Sequence, residues 1–248
     1  MRQVLAAFVF FTRLPFWRLA TIPPESFKRI IPYWPLTGWL TSGCSALVLY
    51  AASLFLPYGI ALLFAMIARL LLTGCLHEDG LADFLDGFGG GHSREHILAI
   101  MKDSHSGTYG VTGLLFYFAL FYALLSHLPL ELASAAILAG DPFAKGLSAM
   151  IVNRLPYTRS EEEAKGKAVY AKMSAGDYAV CILFALLPLT GLPAPRYLLA
   201  TLLPVISWYA LISLMKKKIQ GYTGDCCGAL FLLCEMSFYV SVLLISRL

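Results

Sequence analysis

Long apolar runs separated by short polar breaks dominate the chain, and the runs have the length that a bilayer demands. A helix needs about 20 mostly apolar residues to cross the hydrocarbon core. Seven windows meet or approach that length: residues 35–55, 58–76, 109–128, 130–152, 177–194, 197–215 and 226–246. Only tight turns join some neighbours, as at Pro57-Tyr58-Gly59 and Leu128-Pro129, so those pairs read as antiparallel hairpins. The apolar stretch 4–11 is too short for a span, is ended by Arg13 and precedes no small-residue cleavage site. It predicts a retained helix in the interface rather than a signal peptide. With no internal repeat, low-complexity tract or linker, the pattern predicts an all-α, polytopic membrane helix bundle. It would have about seven transmembrane helices, short interfacial helices and a cytoplasmic N-terminus, and would form a single integral membrane domain over residues 1–248.

Composition agrees. Of the residues, 58% are hydrophobic and 14% charged, with a mean hydropathy of +0.71, so the lipid bilayer is the first partner implied. The net charge of +4 matters less than where the basic residues fall. Arg2, Arg13, Arg18, Lys28, Arg29, Arg94, Lys102, Arg154, Arg159, Lys165, Lys167, Lys172 and Lys216 to Lys218 all lie on one side of the seven-span arrangement. Arg196 and Arg247 lie on the other, and Arg69 and Lys145 fall within spans. Short cytoplasmic loops retain positive charge, so the rich side is cytoplasmic. Nothing points to nucleic acid, and oligomeric state is left open, a homo-oligomer included. The cysteines at 44, 75, 181, 226, 227 and 234 sit in apolar runs without metal-ligand spacing and read as small buried hydrophobes.

This topology puts three unusual segments on the cytoplasmic side, residues 77–110, 153–176 and 216–225, where they can meet. The first, an acidic motif and substrate loop, opens with His77-Glu78-Asp79-Gly80-Leu81-Ala82-Asp83-Phe84-Leu85-Asp86-Gly87. As a helix it places Asp79, Asp83 and Asp86 at i, i+4 and i+7 on one face. Like charges so spaced repel unless a cation joins them, and oxygen ligands favour magnesium. Zinc on His77, His92 and His96 lacks a complete motif, and His92 and His96 belong rather to a short interfacial helix from about Ser93 to Lys102. Lys102, Asp103, Ser104, Thr108 and Tyr109 then offer a cation, an acid and hydroxyls to a substrate. The segment Gly221-Tyr222-Thr223-Gly224-Asp225 brings a carboxylate to the mouth of the last span, as a ligand, a base or a helix cap. Within the spans, Asp141 and Lys145 are spaced to neutralise each other, Glu235 could line a polar cavity below Asp225, and Arg69 sits near enough the cytoplasmic end to snorkel.

Taken together, several motifs resemble the cobalamin synthase (adenosylcobinamide-GDP ribazoletransferase) family. They are His77-Glu78-Asp79-Gly80-Leu81-Ala82-Asp83, Asp86-Gly87, Met101-Lys102-Asp103-Ser104, Gly107-Thr108-Tyr109-Gly110 and Thr223-Gly224-Asp225 with Gly228-Ala229 and Glu235. Thr12-Arg13-Leu14-Pro15, Pro35-Leu36-Thr37-Gly38 and Pro156-Tyr157-Thr158-Arg159 extend the likeness over nearly the whole chain. The resemblance implies a multi-pass protein of the bacterial cytoplasmic (inner) membrane, its active site facing the cytoplasm. There the 5'-hydroxyl of alpha-ribazole, or of its 5'-phosphate, would attack the phosphate attached to adenosylcobinamide in adenosylcobinamide-GDP, and GMP would leave. It implies Mg2+ on Asp79, Asp83 and Asp86, with Glu78 as a further ligand. His77 or Asp225 would accept the hydroxyl proton, and Lys102, Asp103, Ser104, Thr108, Tyr109, Arg159, Thr223 and Glu235 would contact substrate. Arg159, Lys165 and Lys167 suit nucleotide phosphate or a purely topogenic loop. Two other classes compete. A CDP-alcohol phosphotransferase would need an Asp-x-x-Asp-Gly-x-x-Ala-Arg opening, whose arginine is missing here, and an ion-coupled transporter using Asp141, Lys145 and Glu235 leaves the acidic motif unexplained.

Overall fold

The computed structural model describes residues 2–103, 105–158 and 169–248. Ser104, Arg159, Lys165 and Lys167 lie outside the described residues. Among those described, the chain folds into helices without a strand: α1 (Arg2–Phe11), α2 (Trp34–Ser53), α3 (Tyr58–Thr73), α4 (Leu76–Gly90), α5 (Arg94–Ile100), α6 (Thr108–Ser126), α7 (Leu130–Ala149), α8 (Ala175–Leu186), α9 (Leu202–Ile219) and α10 (Gly224–Ser246). Short 3-10 turns extend several of them. A helix therefore occupies each of the seven apolar windows.

By length and apolarity, four segments among the described residues suffice to cross a membrane: Thr108–Ser126, Leu130–Asn153, Pro195–Ile219 and Gly224–Ser246. The helices α3 and α4 make a fifth if counted as one span broken by 89°. The other windows fall short for identifiable reasons. Ala175–Gly191 is brief, and α2 carries Thr37, Thr41, Ser42 and Ser45 along its buried side. Large apolar side chains such as Phe55, Phe64, Leu71, Leu115, Phe116 and Leu183 stand exposed, as they do on proteins solvated by lipid tails. The structure is that of a polytopic helical membrane protein.

The bundle centres on α7 and α10, which bury most of their length, while α6 and α9 lie at its edge. α2 packs on α3 and α7, and α10 packs on α4, α7 and α9. Close approach of α2 to α7 requires glycine at position 38, where a Cβ would stand 2.7 Å from Asp141 Oδ1 and 2.9 Å from Pro142 Cα. Small residues at crossings are how membrane helices gain contact when lipid is as apolar as leucine. Here the crossing also encloses polar groups. Asp141 and Lys145 pair at 2.7 Å, as their spacing predicts, and Thr41 donates to Asp141 Oδ2 while accepting from Lys145 Nζ, each at 2.8 Å.

The acidic segment does not simply continue the second span. Gly74 (φ +64°) and Cys75 (φ +58°) are both left-handed, which ends α3 in the manner of a glycine cap and starts α4 almost at right angles. Arg13 N–H donates to Leu72 O at 2.8 Å, so the Thr12-Arg13-Leu14-Pro15 segment docks onto this break.

Candidate active site

The first turns of two helices face one cavity of about 270 Å³. From α4 it is lined by His77, Asp79 and Gly80, and from α10 by Gly224, Asp225 and Gly228. The two helices cross nearly backbone to backbone. A Cβ at Gly80 would lie 3.0 Å from Asp225 O, and one at Gly228 would lie 3.0 Å from His77 O, so larger residues at either position would push the carboxylates apart. Helix N-termini present unpaired N–H groups and the positive end of the dipole. The first turns of two such helices lining one space make it suited to an anion. Asp79 is solvent-exposed and Asp225 buried, giving a carboxylate at the edge of the cavity and another within it.

The third contribution comes from the middle loop. Tyr157 and Tyr170 line the cavity, and the loop is fixed to the approach of α10 by reciprocal backbone bonds. Thr158 N–H donates to Tyr222 O and Tyr222 N–H to Pro156 O, each at 3.0 Å. Segments 77–110, 153–176 and 216–225, assigned to one side by their charges, thus each supply residues to the same cavity. Phe10 and Phe11 of α1, with Ile31 and Trp34, complete the lining.

The sequence model described as cobalamin-5-phosphate synthase matches residues 3–244. The chain belongs to this family. A relative from Shewanella woodyi named adenosylcobinamide-GDP ribazoletransferase is 36% identical over 252 residues, covering 98% of this chain and 97% of the relative. Relatives of the same name from Shewanella amazonensis (37% over 247 residues, covering 97% and 94%) and Leptospira interrogans (34% over 247 residues, covering 96% and 93%) are also similar end to end. No solved structure matches the chain.

The family's acidic motif is divided by the fold. Asp79 lines the cavity, and Asp83, 7% exposed, stands one turn further along the same face of α4. Asp86 is occupied: Oδ2 accepts from Gly107 N–H at 2.7 Å and Oδ1 from Gly110 N–H at 2.9 Å. It therefore ties α4 to the start of α6, with one backbone donor on each carboxylate oxygen. Glu78 faces away from the cavity. Its Oε1 lies 3.8 Å from Arg69, since adjacent residues on a helix point about 100° apart. Among the described residues no three histidine, cysteine or carboxylate side chains converge as a metal cage.

The expected substrate loop lies at the far end of α4. From Asp79 to Asp86 the helix rises about 10 Å, and Lys102, Asp103, Thr108 and Tyr109, all exposed, are not among the residues that line the cavity. Tyr109 instead covers Gly89, where a Cβ would meet its ring at 2.7 Å. Asp103 holds His105 Nδ1 at 2.6 Å, and that hydrogen bond raises the imidazole above its ordinary pKa. Ser93 caps α5 by accepting from His96 N–H at 3.2 Å. Thr223, fully buried, accepts from Cys226 N–H at 3.3 Å, so that it and not Asp225 caps α10, and its hydroxyl donates to Asp225 Oδ2 at 3.4 Å.

Two buried ionisable residues depart from expectation. Arg69 does not snorkel: it is 4% exposed, pairs with Glu235 at 2.6 Å and donates to Tyr117 Oη at 3.0 Å. Glu235, with no exposed surface, also accepts from Tyr239 Oη at 2.7 Å. It is not among the residues that line the cavity between α4 and α10, and its Oε1 is held by Arg69 and Tyr239. A carboxylate at this depth requires a cation, and Arg69 supplies it from the facing helix.

The aromatic residues of the cavity carry little signal in the sequence. Phe10, Phe11, Trp34 and Tyr170 sit in apolar or loop sequence where such residues ordinarily face lipid. The signal available was the clustering of aromatics in the short segment that precedes the first long helix.

Proposed function

We propose that the cavity between α4 and α10 is where the protein joins ribazole to adenosylcobinamide-GDP, the transfer that its full-length relatives are named for, with GMP as the leaving group. The observation that carries this reading is the convergence of two helix N-termini and two carboxylates on one cavity lined from all three candidate segments. Phosphoryl transfer chiefly needs positioning and charge neutralisation, and this arrangement supplies both. The N–H groups at the start of α4 and α10 hold phosphate oxygens of the pyrophosphate. Asp225, inside the cavity on the rigid start of α10, accepts the proton of the ribazole 5'-hydroxyl as its oxygen bonds to the phosphorus attached to cobinamide, and the bond from that phosphorus to the GMP oxygen breaks.

The donor set suits magnesium in the mode that uses one or two protein carboxylates and completes its shell with water and substrate phosphate. Asp79, with Asp83 one turn behind it, would hold the ion, which supplies Lewis-acid polarisation of phosphorus and charge stabilisation of the departing phosphate oxygen. The asymmetry of basic residues supports a site that faces the cytoplasm of a bacterial inner membrane.

A transferase of this kind in detergent or liposomes should form cobamide only when both substrates are present. Treatment with a chelator should reduce the rate at least a hundredfold, and excess Mg2+ should restore it. Undiminished turnover after exhaustive chelation would remove the ion from this reading.

A further inference from the structure

Resting on the reading above, we infer that the aromatic side of the cavity is the seat of the ribazole base, so that the nucleophile enters between α1 and α4 while the corrinoid and guanosine stay outside. Three near-parallel rings form this side. Phe11 stacks on Trp34 at 5.1 Å and 11°, and on His77 at 6.2 Å and 11°, while Trp34 stacks on His77 at 5.7 Å and 19°. Phe10 and Tyr170, meeting edge-on at 6.2 Å, line the same space and are only half-buried.

Size decides which part of the two substrates can enter. Drug-sized ligands occupy pockets of about 300–1,000 Å³, so a cavity of about 270 Å³ accommodates one flat fused ring and part of its sugar, and excludes a corrinoid macrocycle. Polarity decides between the two heterocycles. Guanine carries donors and acceptors around most of its edge, and an apolar wall would leave them unpaired at a cost. The benzimidazole-type base of ribazole has C–H edges and a single unsubstituted ring nitrogen, which can only accept a hydrogen bond. The wall matches that inventory. Trp34 Nε1 and His77 Nε2 are buried without a hydrogen-bond partner among the described residues, and native proteins rarely leave such atoms unmatched. The indole N–H is a donor, and a small shift of the rings on binding, of the kind common at binding sites, gives it an acceptor. The sugar then points toward Asp79 and Asp225, which brings the 5'-hydroxyl to the carboxylate end.

The test compares steady-state constants for both substrates. Base–aromatic contacts are worth about a factor of ten per ring, so Phe10→Leu should raise KM for alpha-ribazole about tenfold and leave KM for adenosylcobinamide-GDP within twofold. Trp34→Phe, which keeps a ring but removes the N–H, should raise the ribazole KM alone. With the wild-type protein, a riboside of imidazole in place of the fused ring should have a KM at least tenfold higher. Normal turnover with an unmoved ribazole KM in both variants, or a rise confined to adenosylcobinamide-GDP, overturns this inference and leaves the transferase reading intact. Absence of cobamide from folded wild-type protein overturns the transferase reading itself.

Discussion

Asp225→Asn is expected to lower kcat for cobamide formation by about 10²–10⁴-fold, the range for losing a positioned general base, with KM for both substrates little changed. Amide and carboxylate are nearly isosteric, and the cap of α10 is the Thr223 hydroxyl accepting from Cys226 N–H, so the helix keeps its start. Asp79→Asn should reduce activity comparably but by another route, raising the concentration of Mg2+ needed for half-maximal rate. In contrast, Asp103→Asn, in the loop at the far end of α4, should retain turnover within a few-fold. The three variants measured side by side across a magnesium titration separate the cavity from the loop. Equal losses in all three would relocate the chemistry.

The second large effect concerns folding. Arg69 joins α3 to α10 through Glu235 at 2.6 Å, to α6 through Tyr117 at 3.0 Å, and lies 3.8 Å from Glu78 on α4. Its guanidinium also sits 5.4 Å from the ring centroids of Phe121 and Phe231. Removing one partner of a buried pair costs about 3–5 kcal/mol, a large share of the roughly 5–15 kcal/mol that keeps a protein folded. Arg69→Met should therefore abolish recovery of monodisperse protein in detergent or lower its midpoint of thermal aggregation sharply. Arg69→Met combined with Glu235→Gln should recover part of that loss, because the uncompensated carboxylate is gone, whereas Arg69→Lys should be intermediate, lacking the planar fork that reaches two partners. A single Arg69→Met variant as heat-resistant as the wild type would contradict the structural role assigned to this arginine.

Apolar periodicity and the distribution of charge made much of the architecture legible. Every window of sufficient hydropathy is helical, and the segments placed together by the lysine and arginine count do line one cavity. The 89° break was less legible because Gly74 alone reads as an ordinary helix end; the left-handed Cys75 beside it, held by the docking of Arg13, makes the turn. Helical spacing put Asp79, Asp83 and Asp86 on one face correctly, yet spacing says nothing about what else reaches that face. Asp86 is claimed by the backbone of Gly107 and Gly110, distant in sequence. Arg69 misled for a similar reason: its place near a helix end suits snorkelling, and only the packing of α10 brings Glu235 opposite it. The aromatic wall is not legible in the sequence because phenylalanine and tryptophan in a membrane chain are as natural against lipid as against a base.

Displacement of GMP by the ribazole hydroxyl at this cavity can be followed through the phosphorus that the hydroxyl attacks. Adenosylcobinamide-GDP carrying labelled phosphorus next to cobinamide, incubated with alpha-ribazole, Mg2+ and the purified wild-type protein, should give labelled cobamide and unlabelled GMP in a ratio of one to one, and Asp225→Asn should give almost none of either. Label released with the guanosine product, or GMP formed without cobamide, would contradict it.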